Sequence, residues 1–411
     1  MPRLFSEHVS IAPTANAVDD IMHSTRELLS FLERNEALRF LESLKNDIVA
    51  EVQWNEQSSA QQAALRAEIL HATSYPTLES IHSALNELEM ERFLQTESVP
   101  TLHKSCTEYR DLLAGRVLYL VEREMAETGR GNAPTGFALI SMGSDGREEQ
   151  TLITDQDYLV VYRDGGGDEA DAYFKEFSEL LVERMAEIGF KKCTGDIMPS
   201  NPTWRGSLSQ WRRKLLSIVR YEYEDYGKNL MDLIVLSDAR YVAGEEELAG
   251  ELTGLIRGLE QDYFQVLWGM AKAATEMKLA LGFLKRLWTE GSGEHKGEFN
   301  LKLLAWAPLV MNVRILAINQ GIPVTNTVAR LERLAEERSL SANSAKGLAN
   351  AYFTLTRHRI LLQIKVIKGI HNEAYYLNPY QLPTEEREAI RQALLQVEEL
   401  QKLIHTNFSI M

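Results

Sequence analysis

Cysteine is nearly absent. The 411 residues hold two, Cys106 and Cys193, too few for a disulfide framework and suited to a reducing cytosol. Both are expected to be small buried hydrophobes. Long apolar runs are missing as well: no stretch reaches the roughly 18 apolar residues of a membrane span, so no transmembrane helix is expected. The first twenty residues carry no apolar run behind Arg3, so no signal peptide is expected either. No Gly-x-x-x-x-Gly-Lys-Ser/Thr loop occurs, which sets aside an ordinary P-loop NTPase. The nine histidines lack metal-ligand spacing, and His295, His358, His371 and His405 read as surface or loop residues. Repeats of fixed period and low-complexity tails are also lacking.

Basic charge is in deficit, with 44 Lys+Arg against 59 Asp+Glu and a net charge of −15. That balance disfavours a nucleic-acid partner, because phosphate-backbone affinity comes from many Lys and Arg contacts that release counterions. It leaves room for one phosphorylated small molecule, which needs only a local cationic spot. Composition is otherwise ordinary, 45% hydrophobic and 25% charged, which excludes wholesale disorder. The length suits two or three domains, or one core with large helical additions.

The chain divides by pattern. Residues 1–130 read as helical: Leu28, Leu29, Phe31, Leu32, Leu38, Leu41 and Leu44 recur at helical spacing, and Leu102–Met125 carries a second stripe. Pro76 and Pro100 mark breaks, and Gly129–Gly136 marks a boundary loop. Residues 131–245 change character. Phe137–Met142 and Tyr158–Tyr162 read as buried strands and Ala170–Ile188 as a helix stopped by Gly189. Phe190–Met198 reads as a third strand, Ser200–Thr203 as the cap of a helix bearing Trp204 and Trp211, and Leu230–Val242 as either strand or helix. Residues 246–411 return to helix, in segments near 246–287, 301–320, 325–338, 342–369 and 384–407. Trp204, Trp211, Trp268, Trp288 and Trp306 fit helical core positions, and Arg205, Arg212, Arg213 and Lys214 form a basic cluster.

The chemistry concentrates in Gly143-Ser-Asp-Gly-Arg-Glu-Glu-Gln150 and Thr154-Asp-Gln-Asp157. Gly-Ser directly after a buried strand lets backbone N–H groups approach a phosphate without hindrance from a Cβ, and the hydroxyl adds a donor. Asp155 and Asp157, spaced i and i+2 at the head of a strand, put both carboxylates on one face. Such a pair repels itself unless a cation sits between, and oxygen ligands at this spacing suit Mg²⁺. Arg147 and Glu149 lie on the connecting segment. Arg147 is placed to grip phosphate bidentately or to pair on the surface with Glu148 or Asp145.

Gly143-Ser144, ten intervening residues and Asp155-x-Asp157 resemble the signature of the DNA polymerase β-type nucleotidyltransferase superfamily. The string GSDGREEQTLITDQD is similar to the variant of PII-protein uridylyltransferase and its relatives, and most of all to a nucleotidyltransferase-like family of bacterial signalling proteins. Residues 193–211, 237–245, 300–322 and 326–334 look like further blocks of that family. Its usual cyclic-nucleotide-binding and CBS domains have no counterpart in residues 1–100, which read as too helical for either. The resemblance implies an α+β fold, a small polymerase β-type sheet with helices between helical flanks. It implies transfer of UMP or AMP from UTP or ATP to a protein acceptor in cytoplasmic signal transduction. Gly143, Ser144, Arg147 and Glu149 would contact the nucleotide, and Asp155 and Asp157 would hold Mg²⁺ and catalyse. A third carboxylate is usual in the superfamily. Asp196 is the first choice and Asp238 and Asp232 are reserves. A catalytically inactive nucleotide-sensing module is the alternative, and acceptor positioning or homodimer formation are both open roles for the C-terminal helices.

Overall fold

The computed structural model describes residues 34–220, 226–262 and 264–410. The chain falls into two compact units, residues 1–68 and 69–411. The described part of the first lies on helix α1 (Arg34–His71), which carries Leu38, Leu41 and Leu44 solvent-exposed. The other members of that leucine stripe, Leu28, Leu29, Phe31 and Leu32, lie outside the described residues.

The second unit begins with α2 (Tyr75–Thr96) and α3 (Val99–Glu127). Pro76 and Pro100 sit in the first turns of these helices, behind the capping hydroxyls of Ser74 and Ser98, so the expected breaks are helix starts. Next come β1 (Phe137–Ser141), a single turn α4 (Gly143–Gly146), β2 (Asp155–Gln156), β3 (Tyr158–Tyr162) and α5 (Gly167–Glu187). They are followed by β4 (Lys191–Lys192), β5 (Arg205–Ser207), α6 (Leu208–Val219), α7 (Tyr226–Leu236) and β6 (Arg240–Gly244). Helices α8 (Glu246–Asp262) and α9 (Phe264–Thr275) lead to β7 (Phe299–Asn300) and a π-helical turn, Lys302–Trp306. The chain closes with α10 (Ala307–Asn319), α11 (Thr327–Glu336), α12 (Ala342–Ile367), β8 (Tyr376–Leu377) and α13 (Thr384–Asn407).

The fold is α+β with helical flanks, as expected. Its main sheet runs β5-β3-β1-β6. β1 and β3 are buried along their whole length and pair antiparallel, from Phe137 opposite Tyr162 to Ser141 opposite Tyr158. Helix α5 covers the sheet with an aromatic cluster: Tyr162 stacks on Phe174 at 4.3 Å, and Phe137 meets Phe174 and Phe177 at 5.3 and 5.1 Å. The expected strand Phe190–Met198 shrinks to β4, a two-residue parallel pairing with β2, because Cys193–Asp196 closes a turn with Asp196 at φ +56°. Residues 202–204 form a 3₁₀ turn, and α6 is capped by Ser207 in a capping box with Gln210. The ambiguous Leu230–Val242 contains both answers, the end of α7 and the start of β6.

Helices α9, α10, α12 and α13 pack into a bundle beside the sheet. Residues 302–319 are long and apolar enough to cross a membrane by length and composition, yet two thirds of that window is buried within the unit, as in the core helix of a globular protein. Trp204, Trp211 and Trp306 are buried as expected. Trp288 is exposed instead, on the irregular stretch after α9, and His358 is buried rather than on the surface.

One buried cation fastens the segment that precedes the aspartates. Arg110 on α3 is fully buried, and all five of its donors are satisfied by neutral acceptors. Nε donates to His82 Nε2 (3.3 Å). Nη1 donates to Gln150 Oε1 and Thr151 O (3.0 and 2.6 Å), and Nη2 donates to Asn86 Oδ1 and Leu152 O (2.9 and 3.2 Å). His82 Nδ1 bonds Ile188 O at 2.7 Å. Burial, with Arg110 adding repulsion, pushes the His82 imidazolium down to a pKa of about 3, so the ring is a neutral acceptor.

A histidine held below its unfolded value stabilises the fold fully above about pH 6.5 and progressively less as pH falls towards 3, by up to about 1.4 kcal/mol per pH unit. Urea denaturation at pH 7.5 and 5.5 is expected to show this loss. His82→Gln, less stable outright, is expected to have a pH dependence shallower by about 1 kcal/mol across that interval. An unchanged slope would exclude His82 as the acid-sensitive group.

Candidate active site

The end of β1 is locked against the aspartates: Met142 N–H donates to Asp157 O at 2.8 Å. The chain then turns at Gly143, φ +58°, where a Cβ would stand 2.6 Å from Asp157 Oδ2. Only glycine lets the backbone lie this close to the carboxylate. Gln156 turns the opposite way, its Nε2 donating to Val182 O and Phe190 O at 3.1 and 3.2 Å, so Asp155 and Asp157 share the other face. Burial pushes the Asp157 carboxyl up to about 6. The charges of Asp155 and Asp145 act in the same direction and are part of that value, while a hydrogen bond from Cys193 and the charge of Arg147 oppose them. Ser144 is half-buried on α4 beside this turn. The structure therefore brings together Gly143, Ser144, Asp155 and Asp157.

Arg147 and Glu149 take a different place from the one expected. Both are buried, with their side chains engaged by partners inside the protein. Arg147 Nε donates to Glu149 Oε2 (2.8 Å) and Nη1 to Asp238 Oδ2 (2.6 Å). Glu149 Oε1 accepts the Thr327 N–H at 2.7 Å. Asp238, a reserve metal ligand, is enclosed by three guanidiniums. Arg314 meets it with Nε at 3.1 Å and also with Nη2, Arg330 with Nη1 at 3.0 Å, and Arg147 completes the cage. Burial alone would raise the Asp238 carboxyl, but Arg314, Arg147 and Arg330 hold it below the ordinary carboxylate range. Asp238 is thus an internal counter-ion, not a metal ligand.

Asp196 sits on an exposed turn, its Oδ2 accepting from Asn201 Nδ2 at 2.8 Å. The neighbouring Ile197 O accepts the Tyr158 N–H at 3.2 Å, so this turn runs beside the aspartate strand although its carboxylate is engaged with Asn201. Asp232 is half-buried on α7. Among the described residues no three His, Cys, Asp or Glu side chains are grouped to hold a metal ion, so the expected three-carboxylate set is not assembled.

Residues 81–225 match the family model described as "Putative nucleotidyltransferase DUF294", and residues 264–408 match "Putative nucleotidyltransferase substrate binding domain". Two relatives from Bifidobacterium longum, strains DJO10A and NCC 2705, are each described as bifunctional glutamine synthetase adenylyltransferase/adenylyl-removing enzyme. Each is 26% identical over 353 residues, covering 78% of this chain and 32% of the relative. The chain belongs to a nucleotidyltransferase-like family. It spans about a third of the length of the curated relatives it matches.

Two residues beside these carboxylates escaped the sequence pattern. Cys193, expected to be a small buried hydrophobe, is half-buried with its thiol bonded to Asp157. Burial and that carboxylate push its pKa up to about 11. Cys106 is fully buried as expected. Lys302 on the π-helical turn lies within electrostatic reach of Asp155, Asp157 and Cys193. No local signal marks it, since it comes from the second family region, far along the chain.

The Asp238 cage makes a sharp claim about stability. Asp238→Asn leaves three buried guanidiniums without their shared anion and is expected to cost about 3–5 kcal/mol in denaturant unfolding. Arg333→Gln, which breaks an exposed pair with Glu336, is expected to change stability by less than about 0.5 kcal/mol. A cost for Asp238→Asn near that of the surface control would remove the cage as the fastening of this site.

Proposed function

We propose that this protein transfers a nucleoside monophosphate from ATP or UTP to a protein acceptor in the cytoplasm, with Mg²⁺ on Asp155 and Asp157. The observation that carries the reading is the pairing of those two carboxylates against the Gly143 turn. Both family matches support nucleotidyl transfer in general. The adenylyltransferase named among the relatives supports AMP and a protein acceptor, and the net charge of −15 weighs against nucleic acid.

The residues present fit a divalent cation. Asp157 is ionised only at a cost, set by burial and by Asp155 beside it, and a cation between the two carboxylates would remove that cost. Mg²⁺ accepts so sparse a protein set because it keeps waters and takes other ligands from phosphate oxygens. Bound there, it would neutralise charge developing on the transferred phosphoryl group and the departing pyrophosphate. The chain's own part is positional. The bare Gly143 backbone and the Ser144 hydroxyl would hold phosphate oxygens beside the aspartates, at a depth where partial burial strengthens each interaction.

The alternative, a nucleotide-sensing module without catalysis, is favoured by one observation: Asp238 is caged by arginines and Asp196 is bonded to Asn201, leaving two carboxylates where three are usual. Incubation of purified protein with labelled ATP or UTP, Mg²⁺ and candidate acceptors separates the two. Labelled acceptor and released pyrophosphate are expected. Asp155→Asn and Asp157→Asn are each expected to lower the rate by at least about a hundredfold. Nucleotide binding by calorimetry without pyrophosphate release would establish the sensing module instead.

A further inference from the structure

Most buried cations in this unit are met by hydrogen-bonding partners: Arg147, Arg314 and Arg330 by Asp238, and Arg110 by five neutral acceptors. Two are not. Lys302 is partly buried on the π-helical turn and lies over the Tyr375 ring at 5.3 Å. Arg359 on α12 is partly buried and stacks on Trp306 at 3.9 Å, four residues on from Lys302 in the same turn. Among the described residues neither side chain makes a salt bridge or hydrogen bond. The two cations repel each other; Lys302 interacts through charge with Asp155 and Asp157, and the helix of Arg359 reaches the same segment one turn on, where Gln363 Oε1 accepts the Ile153 N–H at 3.3 Å.

That arrangement is costly for an empty protein. Desolvated charge without an adjacent counter-ion is destabilising, and two such charges side by side more so. Burial and then Arg359 push the Lys302 ammonium below its ordinary value, and burial brings Arg359 down to about 10. The strain sits where function would draw on it, on a π-helical turn held in place by other contacts. Trp306 Nε1 donates to Thr356 Oγ1 at 3.0 Å, Leu301 N–H donates to Tyr375 O at 2.8 Å, and β7 pairs with β8.

We propose that Lys302 and Arg359 form the polyphosphate-binding wall of this site, receiving the β- and γ-phosphates of the nucleoside triphosphate opposite Asp155 and Asp157. The inference rests on the nucleotidyl-transfer reading and adds to it the residues that hold the leaving pyrophosphate and the region that supplies them. A planar guanidinium fixed by stacking presents a fork to phosphate oxygens, while the lysine provides a mobile point charge. Two cations match a polyanion, whereas a single acceptor carboxylate would leave one of them unanswered. The helical region 264–408 thereby completes the site that the sheet begins.

Tripolyphosphate, free of any nucleoside, is the direct probe. Calorimetry of the whole chain, with and without Mg²⁺, is expected to show binding that Lys302→Met and Arg359→Lys each weaken by about tenfold or more. In thermal melts without ligand, Lys302→Met is expected to match or exceed the wild type, because burial of the ammonium and repulsion from Arg359 outweigh its attraction to Asp155 and Asp157. It is also expected to lose the upward shift that tripolyphosphate gives the wild type. Wild-type affinity in Lys302→Met, or no binding by the wild type under either condition, overturns the proposal. A parallel transfer assay separates the two readings. Transfer by the wild type alongside undiminished tripolyphosphate binding in both variants removes this wall and leaves the activity. Loss of tripolyphosphate binding in the variants, with no transfer by the wild type, keeps the wall and removes the activity.

Discussion

A single buried carboxylate organises this site without belonging to it. Asp238 has no exposure, and it holds Arg147 from the site segment, Arg314 from α10 and Arg330 from α11. Counted as charges, three guanidiniums face Asp238 and Glu149, so the cluster is held in place by two anions and one surplus cation. The surplus is tolerable because the segment is also tied by neutral bonds: Thr325 Oγ1 to Gly146 O at 2.7 Å, Asn326 Nδ2 to Arg147 O at 3.0 Å, and Thr327 N–H to Glu149. Gly146 fits beneath Asp238 only because it lacks a side chain, since a Cβ would stand 2.0 Å from Asp238 O. The residues between Gly143 and Asp155 therefore work as a buried splint between the sheet and the C-terminal helices. On the other side, Arg110 and His103 hold the carbonyls of residues 150–152.

This splint explains what the sequence disclosed and what it hid. Gly143 and the Asp155–Asp157 pair were legible because their chemistry is local: a positive φ after a buried strand, and a two-residue spacing that puts two acids on one face. The strands Phe137–Ser141 and Tyr158–Tyr162 were legible because they are apolar throughout and bounded by glycine. Arg147 and Glu149 read as nucleotide contacts because their true partners, Asp238 and Thr327, lie 91 and 178 residues away. A surface pair and a buried cage look alike when only one member is local. Phe190–Met198 has the composition of a strand, but the turn at Asp196 ends it after β4. Lys302 and Arg359 left no trace, because a cation earns its meaning from what surrounds it, and their surroundings come from a separate family region.

Electrostatics also decides how the proposed ligands would enter. The two aspartates repel a polyphosphate that arrives alone, and Lys302 with Arg359 repel a divalent ion that arrives alone. Each ligand removes the charge that opposes the other. Metal and polyphosphate binding at such a site must be positively coupled, and by linkage the coupling is the same whichever binds first. Partial burial enlarges the effect, since charges in a partly desolvated site interact several times more strongly than they would in bulk water. The net charge of −15 therefore says little about this site. What governs entry is the local balance between two carboxylates and two unanswered cations, and on the proposed reading the pre-formed metal–triphosphate complex is the species that meets both at once.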